Sequence, residues 1–222
     1  MKTDSKTNTL LLCGAIAGPL FLIVVLMEGI MRPNYSSLSY PLSSLSIGDT
    51  GWTQILNFII TGILLIIFSH GLKQVCNSDK AKFRGPLLIR LAGIGLIGAG
   101  IFVTDPILGY PAEKPLMLRQ FTFSGHLHDG FSMFVFIFLP CACFVFRTYF
   151  ISNNRRGLAN YSAFSGYAMI ATFIMTSMGF KQLSGFVYYA GLLQRLCISI
   201  GLTWMTLISI HLIKNQLDPS SN

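Results

Sequence analysis

Charge is scarce in this chain: only 11% of its 222 residues are Asp, Glu, Lys or Arg, about half the share of an ordinary soluble domain. With 52% hydrophobic residues, so few charges cannot cover a folded surface, which excludes a water-soluble globule and makes lipid the solvent. The five cysteines, Cys13, Cys76, Cys141, Cys143 and Cys197, are odd in number and fall mostly inside apolar runs, which excludes a disulfide framework. Cys141 and Cys143, two apart on a helix, do not share a face for a metal. The Gly-x-Ser-x-Gly elbow of a serine hydrolase is absent. Lys2 and Lys6 precede the run Leu10–Leu26 as in a secretion signal, but Glu28, Met31 and Arg32 follow instead of a small-residue cleavage site. The run is therefore expected to stay as an uncleaved first span.

What is present is apolar length. A spanning helix needs roughly 20 mostly apolar residues, and six segments qualify: about Thr9–Met31, Gln54–Leu72, Pro86–Thr104, Gly130–Phe146, Tyr161–Met178 and Val187–Ile213. The expected fold is an all-α membrane bundle of six helices over residues 9–213, with short tails at 1–8 and 214–222. Lys2, Lys6, Lys73, Lys80, Lys82, Arg84, Arg90, Arg147, Arg155, Arg156 and Lys214 fall at one set of helix ends. Arg32, Lys114, Arg119 and Lys181 fall at the other. Such asymmetry directs both termini to the cytoplasm of an inner membrane and the stretch from Asp105 to Asp129 to the outer side. The net charge of +8 is dispersed over the connections, so it reads as a topology signal and not as a nucleic-acid patch.

The outer halves of the spans carry the unexpected polar residues. Glu28 ends the first span, Gln54 and Asn57 begin the second, Asp105 closes the third, and Gln194 and Arg195 lie about two turns into the sixth. Intramembrane ionisable residues mark function by default. With Arg32 and His128 they would line one outward pocket, where Arg195 holds a phosphate or carboxylate of an amphiphile, most simply a lipid headgroup. The bland alternative is a buried Glu28–Arg195 pair that only fixes helix packing. A hydrolase would draw on Asp105, His126, His128 and Asp129 with Ser43, Ser44 or Ser124. A metal site would need His126 and His128 to converge, which requires the segment before Gly130 to be extended. A small-solute carrier is a further reading, although six helices without evident repeats do not favour it. Membrane lipids are the expected partners, and neither a cofactor nor a metal is expected. In the third span Gly93, Gly95, Gly98 and Gly100 gather, with Gly95 and Ala99 at a small-xxx-small spacing that lets a neighbour approach.

Several phrases stand in order along the chain: Arg32-Pro33-x-Tyr35, Pro41-Leu42-Ser43-Ser44-Leu45, Gly51-Trp52-x-Gln54, Asn57-Phe58, Asp105-Pro106-x-x-Gly109-Tyr110-Pro111, Gly125-x-x-His128 and Gly191-Leu192-x-Gln194-Arg195-Leu196. Together they resemble the bacterial and archaeal membrane family catalogued as domain of unknown function 998. The likeness runs from the first span to the sixth and implies a six-helix membrane fold with no settled activity. One departure is Tyr40, where the resemblance leads one to expect a basic or histidine residue before Pro41.

Overall fold

Runs that are apolar on every side become helices in lipid, because only there are all backbone groups satisfied within the segment. A computed structural model describes residues 5–76, 79–107, 109–111, 122–183 and 185–217, with 79–83 as backbone alone. The helices are α1 (Ser5–Met31), α2 (Trp52–Val75), α3 (Asp79–Ile101), α4 (Phe123–Ser152), α5 (Arg156–Phe180) and α6 (Ala190–Leu217). All six are long and apolar enough to cross a membrane. Each packs on its neighbours in sequence and α6 returns to α1, so the helices form a closed ring. An even number of passes leaves both helical termini at one end, the terminal end. The opposite, loop end carries the α1–α2, α3–α4 and α5–α6 connections.

The outward faces stay apolar, as with Ile16, Ile23 and Ile30 on α1 and Phe164, Tyr167 and Ile174 on α5, all exposed. Within the ring, Leu65, Phe68, Leu139, Phe146, Leu202 and Trp204 are buried and form a packed apolar layer. Trp204 stands edge-on to Phe146 at 5.7 Å and donates its indole N–H to Ser162 Oγ at 2.9 Å, tying α6 to α5.

Pro19 lies inside α1 and cannot donate to the carbonyl of Ala15; the Thr206 hydroxyl of α6 approaches that carbonyl at 3.5 Å. A neighbouring helix thus offers the polar contact that proline removed. The α3 glycines divide between two partners instead of forming one Gly95–Ala99 seam. Gly93 meets Gly62 of α2, where a Cβ would lie 2.7 Å from the Gly62 carbonyl oxygen. Gly95 and Gly98 face α4, where a Cβ on Gly95 would lie 2.6 Å from the Phe131 carbonyl oxygen. Gly93→Val is expected to force α2 and α3 apart at backbone level and lower stability by about 2–3 kcal/mol. The midpoint of thermal unfolding in detergent, compared with that of exposed Ile94→Val, measures it.

Two segments differ from their expected bounds for local reasons. α3 stops at Ile101 instead of near Thr104, and α4 starts at Phe123, a full two turns before Gly130. Thr122 is extended, at φ −85° and ψ 160°, and its hydroxyl accepts the Gly125 amide at 3.0 Å, an N-cap that starts the helix in a polar stretch. The Asp105–Asp129 connection therefore ends at Thr122, and residues 126–129 are helical. On that helix His126 is exposed while His128 is 2% exposed, so the extended geometry that a two-histidine metal site requires is not adopted. The α1–α2 loop re-enters the ring as a 3-10 turn, Leu42–Ser46, in which all five residues are buried. It packs on α1, α2 and α6 and plugs the loop end.

Candidate functional site

Two arginines hold the plug. Arg32, one turn beyond Glu28 at the end of α1, donates from Nη1 to the Ile47 carbonyl at 2.8 Å and from Nη2 to the Leu45 carbonyl at 2.7 Å. Arg195, from the second turn of α6, donates from Nη1 to the carbonyls of Ser37 at 2.8 Å, Tyr40 at 3.0 Å and Gly191 at 3.0 Å. Its Nη2 donates to the Tyr35 hydroxyl. The guanidinium carbon lies 5.4 Å from the Tyr35 ring centre, within cation–π range. Close approach is possible because α6 presents Gly191 here, where a Cβ would come 2.9 Å from the Ser37 carbonyl oxygen. Gln194 accepts the Leu42 amide at 2.8 Å, so the plug's entry N–H is met by α6 as well. Charge-assisted bonds to backbone carbonyls fix a loop independently of its side chains.

The latch continues through tyrosines. The Tyr35 hydroxyl donates to the Pro41 carbonyl at 2.8 Å while accepting from Arg195, a directional chain that requires a protonated phenol. Burial pushes the Tyr35 phenol above its ordinary range and Arg195 opposes the shift, so the phenol stays protonated at neutral pH. Burial likewise raises Tyr110, with Arg32 opposing. Tyr110 packs on Tyr35 at 5.2 Å and on Tyr40 at 5.1 Å, which joins the α3–α4 connection to the plug. Sequence reasoning cited Tyr35, Tyr40 and Tyr110 only as phrases of a resemblance and missed this cluster. The signal within reach was three tyrosines, each next to or within a few residues of a proline, in the two connections at the same end of the spans.

A second cluster joins α3 to α4. Asp105, 2% exposed, accepts the Thr122 amide at 2.9 Å and the Thr122 hydroxyl at 2.6 Å, so its carboxylate sits at the N-terminus of α4. His128, one turn further, directs Nδ1 to the carbonyls of Ala99 at 2.9 Å and Phe102 at 2.8 Å, capping the end of α3. Ser124 donates to the Val103 carbonyl at 3.0 Å. Three residues weighed as a mouth or a triad thus bind backbone at one helix junction. Among the described residues no group of three His, Cys, Asp or Glu gathers as for a metal ion.

Glu28 pairs with Arg32 Nη2 at 3.8 Å, not with Arg195 as the packing alternative has it. Thr53 lies beside the carboxylate but directs its hydroxyl to the Thr50 carbonyl at 2.8 Å, and neither buried Glu28 oxygen accepts a hydrogen bond of normal geometry. Below the plug, Gln54, Asn57 and Thr61 share one face of α2 at helical spacing. Gln54 and Thr61 are fully buried and Asn57 is 4% exposed. Asn57 donates to the Phe21 carbonyl and to Gln54 Oε1, both at 3.2 Å. Among the described residues, Gln54 Nε2, Asn57 Oδ1, Thr61 Oγ and, from the plug, Ser44 Oγ have no hydrogen-bond partner. Ser43 is buried in the same turn and its carbonyl accepts the Ser46 hydroxyl at 2.7 Å. The structure therefore separates the candidate residues by role. Arg32, Gln194 and Arg195 secure the plug, Asp105 and His128 secure the α3–α4 junction, and Glu28, Gln54 and Asn57 keep buried polar atoms that no hydrogen bond among the described residues satisfies.

The model of the family described as "Protein of unknown function (DUF998)" matches residues 15–211. No curated protein and no solved structure matches the chain.

Proposed function

The chain belongs to the family of proteins of unknown function DUF998, matched over residues 15–211, and on that premise we propose a multi-pass membrane protein that binds the polar headgroup of an amphiphile. The site is the loop half of the ring beneath the plug. One observation carries the reading: Ser44, Gln54, Asn57 and Thr61, all buried, hold donors or acceptors with no partner among the described residues. Each such group costs about 1–3 kcal/mol if left unmet. Four on two adjoining elements, with the Glu28 carboxylate nearby in the chain's loop half, point to a polar occupant.

The chemistry of the occupant follows from the atoms on offer. Asn57 Oδ1 and the Glu28 oxygens accept, Gln54 Nε2 donates, and Ser44 and Thr61 do both. The two guanidiniums already serve loop carbonyls. This set suits a hydroxyl- or amine-bearing headgroup better than a bare phosphate, and Arg195 acts as a positioning residue that keeps the plug seated. The basic residues clustered at the terminal end support an orientation with that end in the cytoplasm and the plug on the outer side of a cell membrane.

The test combines two readouts on the protein purified in mild detergent. Gln54→Leu with Asn57→Leu is expected to preserve or raise the thermal midpoint, since unmatched polar groups leave the interior, while co-purifying amphiphile seen by native mass spectrometry is lost. Unchanged amphiphile retention in a folded double variant would show that these atoms serve only packing or water.

A further inference from the structure

The seam between α1 and α6 changes character along its length. In the terminal half the two helices touch directly: the Ser209 hydroxyl donates to the Leu11 carbonyl, and a Cβ on Gly18 would lie 2.8 Å from the Leu202 carbonyl oxygen. About three turns nearer the loop end on each helix, at Gly29 and Gly191, the nearest neighbour is a loop instead. A Cβ on Gly29 would meet Ser37 Oγ at 2.6 Å, and one on Gly191 would meet the Ser37 carbonyl oxygen at 2.9 Å. The Leu192 amide donates to the Leu38 carbonyl at 2.9 Å. Residues 35–40 thus lie as a strap between α1 and α6, partly exposed, and lead directly into the buried plug.

What holds the strap is polar. Leu38, its one aliphatic residue, is 50% exposed, and the rest are serines and tyrosines. Its fastenings are the Arg195 fork, the Tyr35 hydroxyl and the Ser39 hydroxyl, which donates to the Tyr188 carbonyl at 3.1 Å. Swinging it aside therefore costs hydrogen bonds and tyrosine contacts but little buried aliphatic surface. Oxygens of a passing headgroup can stand in for the Ser37 and Tyr40 carbonyls on the guanidinium. Asn34, left-handed at φ 56°, turns the chain off α1 just before the strap. Beyond it the plug carries Ser44 against α1, α2 and α6, and Asn57 reaches across from α2 to the Phe21 carbonyl of α1. Ser44, Gln54, Asn57 and Thr61 are at most 4% exposed, so an occupant needs part of this cover to move. An amphiphile keeps its chains in lipid while its headgroup enters, which favours a sideways path between helices over one from water. Leu26 and Ile30 on α1 and Leu192 and Leu196 on α6, all exposed, offer those chains apolar surface along the seam.

We infer that the strap of residues 35–40 is a lateral gate, through which an amphiphile in the surrounding leaflet passes its headgroup between α1 and α6 into the chamber beneath the plug. The inference rests on the headgroup reading of that chamber and adds the route into it. Gly29 and Ser37 offer the test, because a Cβ on Gly29 would lie 3.9 Å from the Ser37 Cβ, a separation that a disulfide spans. The full-length Gly29→Cys, Ser37→Cys protein is purified in mild detergent with its amphiphile bound, and is compared oxidised and reduced. Wild type given the same oxidant controls for the five native cysteines. Dioctanoyl phosphatidylethanolamine, which bears an amine, or dioctanoyl phosphatidylglycerol, which bears hydroxyls, is added in excess. Native mass spectrometry follows replacement of the amphiphile already bound. The disulfide is expected to stop replacement and reductant to restore it. Tyr35→Phe, which loses the hydroxyl's bonds to Arg195 and Pro41, is expected to speed replacement roughly tenfold. That variant decides the matter if the cysteine pair does not fold or does not crosslink. A disulfide form that exchanges as fast as its reduced form, or a folded Tyr35→Phe that exchanges at the wild-type rate, overturns the gate, and the amphiphile still bound leaves the headgroup reading standing. A wild-type protein that carries no amphiphile and takes up neither probe overturns both, an outcome read before any rate is measured.

Discussion

Arg195→Gln is expected to lower stability by about 3–5 kcal/mol, because among the described residues one guanidinium supplies every hydrogen bond that α6 makes with the Ser37–Tyr40 backbone apart from the Leu38–Leu192 bond. A hydrogen bond from a charged group contributes about 1.5–3 kcal/mol. Arg195 makes four, to Ser37, Tyr40, Gly191 and the Tyr35 hydroxyl, and water recovers part of each when the fork is gone. Glutamine retains one amide group and cannot span the carbonyls and the phenol together. Arg195→Lys keeps the charge but not the planar fork, so its loss should fall between those of wild type and glutamine. The observable that separates a latch from a ligand anchor is local. Chymotrypsin should cut rapidly after Tyr35 in the glutamine variant, at a temperature where the helices remain folded; the Tyr40–Pro41 bond is resistant in any state. An anchor for a bound anion would leave the plug protected and change only what co-purifies.

The contrast between that expectation and the reading of Arg195 as an anion anchor shows what a sequence conveys about such a residue. Its depth in the sixth span is legible, since Gln194-Arg195 interrupts an otherwise apolar run. Its partners are not, because they are backbone carbonyls of a loop some 150 residues away, and a carbonyl has the same chemistry at every position. The six spans were legible for the opposite reason: lipid imposes apolar side chains along a whole element, and no single contact has to be known. Errors at the span ends share one cause. The stretch Thr122–Asp129 reads as polar connection by hydropathy, yet it is helix because Thr122 caps it and because Gly125 and His128 are buried against α3. Hydropathy does not register a capped polar turn. Glu28 was legible as an acid in need of a partner, and the i,i+4 spacing to Arg32 already offered one.

Asp105→Ala should lower stability by about 3 kcal/mol, a sum of two lost hydrogen bonds and of the carboxylate's attraction to the N-terminus of α4. The substitution leaves the Thr122 amide and hydroxyl without the acceptor they have at 2.9 and 2.6 Å, in a place where Asp105 is 2% exposed. Asp105→Asn keeps the shape and one acceptor oxygen while removing the charge, so about half of that loss is expected. Gly125→Ala tests the same contact from the other side. A Cβ there would overlap the Asp105 carboxylate, so the single variant should be at least as unstable as Asp105→Ala. In the Asp105→Ala background the obstacle is gone, and Gly125→Ala should then cost little. A double-mutant cycle on unfolding in detergent is therefore expected to give a coupling of about 1–3 kcal/mol with non-additive sign. Additive losses would mean that the carboxylate does not rest on the first turn of α4. The consequence reaches past the cap, because the same first two turns present His128 to the carbonyls of Ala99 and Phe102 and Ser124 to that of Val103. Once the helix start frays, those three contacts lose their register together, and α3 and α4 should separate first at the loop end, next to the Tyr110 that braces the plug.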